Sequence, residues 1–219
     1  MRGAIALGVV FAGLLAAQTT PTIQAQGTAT LSANPDQAQI TVSVITNGAT
    51  AQAAAQANAS VSTTVQNALK ALNPAPMIQT IGYSVYPQYT GAQILTGYTA
   101  TNSIQVTTFD LSTIGNLIDT VNQAGANGVS GITFGLQNPD PVKQQALTAA
   151  AKQARGHADA MAAGLGGKTG PVVSAVEGST YTPIYAAGGA VAGAAVPTPV
   201  QTGQVSVTAS VTITFQFGP

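Results

Sequence analysis

Apolar and polar positions alternate with a period of two along several stretches of the chain. From Gly27 to Thr46, Ala29, Leu31 and Ala33 stand opposite Thr28, Thr30 and Ser32. After Asn34-Pro35-Asp36 the alternation resumes, with Ile40, Val42 and Val44 against Thr41 and Ser43. Alternation of this kind buries one face of a strand and wets the other, and Asn-Pro-Asp marks a turn or bulge between two linked segments. Ile78 to Tyr89 reads as a strand with Ile81, Tyr83 and Val85 on one face. Tyr98 to Phe109 reads as its antiparallel neighbour with Tyr98, Ala100, Ile104 and Val106 on one side, and Gly91 and Gly97 bracket the hairpin. Gly131 to Leu136 and Pro171 to Glu177 are shorter strands. Val205 to Phe217 is the cleanest, with Val205, Val207, Ala209, Val211, Ile213, Phe215 and Phe217 all facing one way.

Three stretches switch to helical spacing. Thr50 is a plausible N-cap for a helix running to Leu72, with a stripe of Val61, Val65, Ala68 and Leu72, ended by Asn73-Pro74-Ala75-Pro76. Asp110 caps a second helix, placing a carboxylate at the positive end of its dipole. Its stripe is Leu111, Ile114, Leu117, Ile118 and Val121, and Gly125 closes it. Asp140 as N-cap and Pro141 in the first turn open a third, which runs to about Ala163 with Leu147, Ala151, Ala154, Ala158, Met161 and Leu165 in register. The order of elements predicts an α+β fold of mixed, largely antiparallel sheets with three amphipathic helices. Gly178 to Gly203, rich in Gly, Ala and Pro, reads as a long loop, and loops of that length are usually functional or disordered.

The chain opens on Arg2 and the uncharged apolar run Ala4 to Ala17, which is too short to span a bilayer and has the pattern of a secretory leader. Ala17 and Ala25 are the candidates for its last residue. The expected organisation is a signal peptide over residues 1–25, then a single domain over 26–219 that carries the 178–203 loop. No transmembrane helix is expected in the mature chain. Cysteine is absent, so neither disulfides nor thiolate chemistry are available.

Charge narrows the function further. Only 5% of the 219 residues are charged and the net charge is +0. Nucleic-acid binding needs clustered Lys and Arg, and anionic lipid needs a polybasic stretch; neither is present. A surface of Thr, Ser, Gln, Asn, Ala and Gly repels copies of itself weakly, which permits self-association.

Catalytic chemistry finds few residues to use. His157 is the single histidine and sits mid-helix beside Arg155 and Asp159, without the partners of a triad or a zinc site. Of the six acids, Asp110 and Asp140 read as caps, Asp36 as a turn residue and Asp159 as an i,i+4 partner of Arg155; Asp119 and Glu177 remain. The Gly-rich turns 125–128 and 164–170 fit no phosphate-binding fingerprint. Hence no enzyme, metal or cofactor is expected. Tyr83, Tyr86, Tyr89 and Tyr98 fall on two neighbouring strands, and Tyr181 and Tyr185 in the long loop. Ordinary sheet packing, an interface patch and a ligand groove all use tyrosine, whose ring has a flat apolar face and a polar tip.

Several stretches resemble the SIMPL-domain family of bacterial periplasmic and outer-membrane-associated proteins: GTATLSANPDQAQITVSV (Gly27 to Val44), IQTIGYSVYPQY (Ile78 to Tyr89), the long segment Gly97 to Leu136 with its GYTATN and GANGVSGITF strings, and AKQARGHADAMAAGLG (Ala151 to Gly166). The chain departs from the family in carrying far fewer charges. The resemblance implies an α+β fold, export and, in at least one member, oligomeric assembly; it implies no catalytic residue. The expected function is therefore that of an exported cell-envelope protein, periplasmic or outer-membrane-associated. It would act as a self-associating, non-catalytic scaffold or interaction module, with copies of itself and an envelope component as partners. The alternative is a periplasmic binding module for a glycan or small ligand on a tyrosine-lined surface. Intact mass of protein purified from the envelope should show the first 17 to 25 residues removed; retention of Met1 to Ala17 would contradict export of a soluble domain.

Overall fold

A computed structural model describes residues 20–91, 93–178, 185–186 and 200–219. The order is β1 (Thr22–Ala33), β2 (Gln37–Gly48), α1 (Ala51–Lys70), β3 (Met77–Thr90), β4 (Ile94–Thr108), a 3-10 turn (Leu111–Thr113), α2 (Ile114–Gln123), β5 (Gly128–Gly135), α3 (Asp140–Gly164), β6 (Lys168–Glu177), β7 (Tyr185–Ala186) and β8 (Val205–Gly218). The fold is α+β. One sheet has the order β1-β8-β6 and the other β3-β4-β2-β5-β7, and every pairing is antiparallel. β7 lies within the stretch read as a loop, where its two residues pair with Thr133 and Phe134 of β5.

β1 begins at Thr22, earlier than the alternation from Gly27 suggests, and pairs with β8 from Thr22↔Gln216 to Ala33↔Val205. The first and last strands of the domain thus lie side by side. Asn34-Pro35-Asp36 passes the chain from one sheet to the other. Asp36 anchors this jog, since its carboxylate accepts from Gln137 N at 2.6 Å and its own N–H donates to Gly135 O at 3.1 Å.

The larger core lies between the five-stranded sheet and the helices α1 and α2, built from Ile40, Val42, Val44, Ile104, Val106 and Phe134 against Val65, Leu69, Ile114, Leu117 and Val121. Thr50 caps α1 as expected, its side chain accepting from Ala53 N at 3.1 Å, and Asp110 caps the 3-10 turn through Ser112 N at 3.0 Å. At α3 the cap differs: Asn138 Oδ1 accepts from Asp140 N at 3.1 Å, and Asp140 is the first helical residue rather than the cap.

The second core corrects the expected stripe of α3. The buried residues are Ala146, Ala150, Ala154, Ala158 and Ala162, one every fourth position, whereas Met161 and Leu165 are 41% and 68% exposed. The reason lies on β1. A Cβ placed on Gly27 would collide with Ala150 O and stand 2.6 Å from Ala154 N, so strand and helix touch backbone to backbone. At that separation only alanine fits between them, and longer side chains turn outward. Ile23, Ala25, Ile213 and Phe215 complete this core.

Gly27→Ala should destabilise the domain by about 3 kcal/mol or more, since neither the helix backbone nor the strand can give way without loss of packing. That corresponds to a fall of roughly 6–12 °C in Tm. At Gly156, in the same helix, nothing lies within 4 Å of where a methyl group would stand. Gly156→Ala should therefore stabilise by about 0.5–1 kcal/mol. Calorimetry on both variants checks the contrast; equal effects would refute the close-contact account.

Candidate functional site

The tyrosine-bearing strands form one edge of the five-stranded sheet. The register sets the side-chain directions, because residues paired across a ladder share a face and neighbours along a strand alternate. Tyr83 pairs with Asn102, on the face covered by α1, together with Val85 opposite Ala100 and Pro87 opposite Tyr98. Tyr86 pairs with Thr99 on the opposite face. A register shift between Thr80 and Gly82 takes Ile81 out of the ladder, so it does not extend the row of Tyr83 and Val85. The structure therefore brings Tyr83 and Tyr98 to one face and turns Tyr86 to the other. Tyr89 lies further out, opposite Leu95. Tyr83, Tyr86 and Tyr89 are exposed and Tyr98 is half-buried. Tyr185 contributes backbone to β7, and Tyr181 lies outside the described residues.

Beneath α1 lies a polar group that the apolar stripe read from sequence omits. The buried face of α1 includes Asn58 and Ser62 beside Val65 and Leu69. Asn58 Nδ2 donates to Val44 O at 2.8 Å and to Ala100 O at 3.1 Å, joining β2 and β4 from above. Ser62 Oγ donates to Asn58 Oδ1 at 3.2 Å, and Asn102 Nδ2 donates to Ser62 Oγ at 3.1 Å. The signal for this is present in the sequence, since Asn58, Ser62 and Val65 share helical spacing, but polarity argues for the wet face.

His157 and its neighbours on α3 make contacts with the three-stranded sheet. His157 Nδ1 lies 2.9 Å from Gln26 O, and a carbonyl oxygen can only accept, so the contact places a proton on Nδ1. One turn earlier, Gln153 Oε1 accepts from Thr28 N at 2.6 Å. Both contacts fall on the outer edge of β1. Arg155 pairs with Asp159 at 3.0 Å, donates to Gly170 O and Thr169 O of β6, and stands 5.0 Å over the ring of Phe215. The Gly125–Gly128 turn also has a structural use: Asn127 Oδ1 accepts from Ile45 N at 2.8 Å and its Nδ2 donates to Ile45 O at 2.6 Å, extending the β2–β5 ladder by a side chain. Among the described residues no group of three or more His, Cys, Asp or Glu side chains is placed to hold a metal ion. Among them, too, no helix is long and apolar enough to cross a membrane.

Charge is distributed unevenly. β1, β2, β3, β4, β5 and β8 contain no charged residue, whereas β6 has Lys168 and Glu177 at its ends. The face of the five-stranded sheet turned away from the helices is lined by Gln39, Thr41, Ser43, Ser103, Gln105 and Thr107, with Gln105 Nε2 donating to Gln39 Oε1 at 3.3 Å.

An antiparallel α+β module of two sheets, with charge absent from every long strand but β6, is the class of protein these features define. Residues 23–215 match the family model SIMPL, described as "Protein of unknown function (DUF541)". The chain belongs to the SIMPL family. It is 30% identical over 161 residues to the protein named "Uncharacterized protein YggE" in Escherichia coli strain K12, covering 70% of this chain and 64% of that protein. It is 28% identical over 157 residues to the "26 kDa periplasmic immunogenic protein" of Brucella melitensis, covering 66% of this chain and 63% of that one. The chain spans less than two thirds of the length of these curated relatives.

Asn58→Ala should cost about 2–3 kcal/mol, because two strand carbonyls and Ser62 lose their partner. Asn58→Asp should cost more at neutral pH, since it sets an acceptor against two carbonyl oxygens in place of a donor. Chemical denaturation of both variants checks the order; an Asp variant as stable as wild type would remove the amide donor from the account.

Proposed function

We propose that the chain is an exported, non-catalytic interaction module of the bacterial cell envelope that works by self-association. The observation that carries this reading is the edge of β3, which no strand covers among the described residues. It ends the five-stranded sheet, contains no charged residue, and presents Tyr83 on one face and Tyr86 on the other. An edge strand is a template for another strand unless charge, proline, a bulge or a covering element blocks it; in β3 the bulge at Ile81 and Pro87 leave Gly82 to Tyr86 as the regular stretch between them. An edge of the smaller sheet illustrates such blocking: there Gln153 and His157 of α3 occupy N–H and C=O groups of β1. A two-fold pairing of that stretch with its copy satisfies both backbones from Gly82 to Tyr86 at once.

Export is supported by the leader pattern and by the Brucella relative, whose name calls it periplasmic. Ala17 suits the end of the leader better than Ala25, since Ile23 and Ala25 lie in the second core and removal through Ala25 would take the start of β1. Tyr83 shares a face with Tyr98, but Tyr86 turns to the other; this division supports a strand-pairing edge over a tyrosine-lined groove for a glycan, which would gather all its rings on one side.

Light scattering on the exported chain at micromolar concentration should show a homo-oligomer whose mass changes little between low and high salt, since few charges are there to be screened. Tyr83→Lys with Tyr86→Lys should give smaller, folded species. A monomeric wild-type chain under all these conditions would overturn the proposal.

A further inference from the structure

The β3–β4 hairpin reaches beyond its sheet. β2, the other neighbour of β4, ends at Gly48 opposite Tyr98. Past that point Gln88↔Gly97, Tyr89↔Leu95 and Thr90↔Ile94 pair, among the described residues, only with each other, as a two-stranded ribbon. At about 3.3 Å per residue, the ribbon projects on the order of 10 Å past the end of β2. Its base is braced: Gln88 Nε2 donates to Thr99 Oγ1, Thr99 Oγ1 donates to Asn47 Oδ1 at 2.7 Å, and Thr96 Oγ1 donates to Gln88 O at 3.1 Å.

The chemistry of the tip is unusual for a projecting turn, a place where polar residues dominate. Tyr89, Ile94 and Leu95 are 61%, 64% and 48% exposed. Tyr89 and Leu95 are paired and share a face, while Ile94, the next residue along, points to the other. No charged residue occurs between Lys70 and Asp110, and both of those lie toward the Met77↔Thr107 end of the hairpin, away from the tip.

We infer that this tip docks into the interface of a lipid bilayer. A flat protein partner would cover one face of the ribbon and leave the other apolar side chain in water, whereas a lipid interface surrounds both faces. Insertion of an uncharged tip carries no penalty for stripping water from an ion. Tyrosine suits the headgroup level, and isoleucine and leucine suit the acyl boundary just below it. The outer backbone groups of the ribbon, unpaired among the described residues, limit entry to this hydrated boundary, about 5–10 Å deep, which the projection can reach. With no Lys or Arg to attract anionic headgroups, the attachment is to neutral lipid and insensitive to salt. The tip lies beyond the stretch of β3 that carries Tyr83 and Tyr86, so this inference goes beyond self-association and does not require it.

The test is co-flotation of the exported chain with phosphatidylcholine vesicles, with circular dichroism and light-scattering mass measured in parallel. Wild type should float with the vesicles at low and high salt. Ile94→Ser with Leu95→Ser should lower the bound fraction about tenfold or more at fixed lipid, with unchanged dichroism and unchanged mass. Because the chain has Trp 0, Ile94→Trp supplies a single reporter whose emission should shift to the blue on adding vesicles and be quenched by brominated lipid. Failure of wild type to float, flotation of the double variant equal to wild type, or indole emission from the Ile94→Trp variant indifferent to vesicles would overturn the inference. So would a fall in the double variant's light-scattering mass, which would assign the tip to a second copy of the chain instead.

Discussion

The contact between Gly27 and the backbone of α3 governs the smaller half of the molecule. With a Cβ at residue 27 excluded by Ala150 O and Ala154 N, the helix lies as near the sheet as two backbones permit. The five alanines from Ala146 to Ala162 are what that distance admits. The near approach also brings the flanks of the helix within reach of all three strands. Gln153 and His157 meet the edge of β1, Phe215 of β8 packs beneath the guanidinium of Arg155, and that guanidinium continues to the carbonyls of Thr169 and Gly170 on β6. A helix held further off by leucines would bury more apolar surface per residue but would lose these three attachments.

Charged side chains hold ends and junctions. Asp36 fixes the jog between the sheets, Asp110 caps a turn, and Asp159 steadies Arg155. The six long strands other than β6 have none. Their wet faces rely on hydroxyl and amide groups that hydrogen-bond one another, as Thr30 with Thr208 at 2.9 Å and Gln105 with Gln39 at 3.3 Å. Such faces are hydrated without being repulsive. Edges are therefore guarded here mainly by other means than lysine: α3 covers β1, β7 covers part of β5, β6 keeps Lys168 and Glu177 at its ends, and β3, with no cover among the described residues, has Pro87 and the bulge at Ile81.

The two helical layers solve the same problem differently. Over the five-stranded sheet, α1 comes backbone-close only at its first turn, where a Cβ on Gly48 would stand 2.5 Å from Ala54 N; further along it stands far enough off for valine and leucine, and the space between is filled by an apolar cluster with one polar inclusion. Asn58 ties two adjacent strands at that inclusion through their carbonyls, a bond that specifies how the helix is seated as well as how strongly. Over the three-stranded sheet the helix seat is specified by shape, through alanine and glycine.

The succession of strands and helices, the antiparallel α+β class, the caps at Thr50 and Asp110 and the family resemblance are all legible in the sequence, because period and local hydrogen bonding act between residues a few positions apart. The inward rows of β2, β4 and β8 are legible for the same reason. The stripe of α3 is not. Leu147, Met161 and Leu165 are the residues a hydrophobic pattern selects, and only the glycine across the gap, far earlier in the chain, decides that alanine faces inward. Asn58 escapes a reading by pattern because its value depends on two strand carbonyls that the sheet places beside it. The tyrosines are legible as a group in sequence but not as a surface, because the bulge at Ile81 and the outward reach of the hairpin past Gly48 decide which face and which neighbour each one meets. Local periodicity sets the elements; distances between elements, which no local pattern encodes, set which side chains can stand between them.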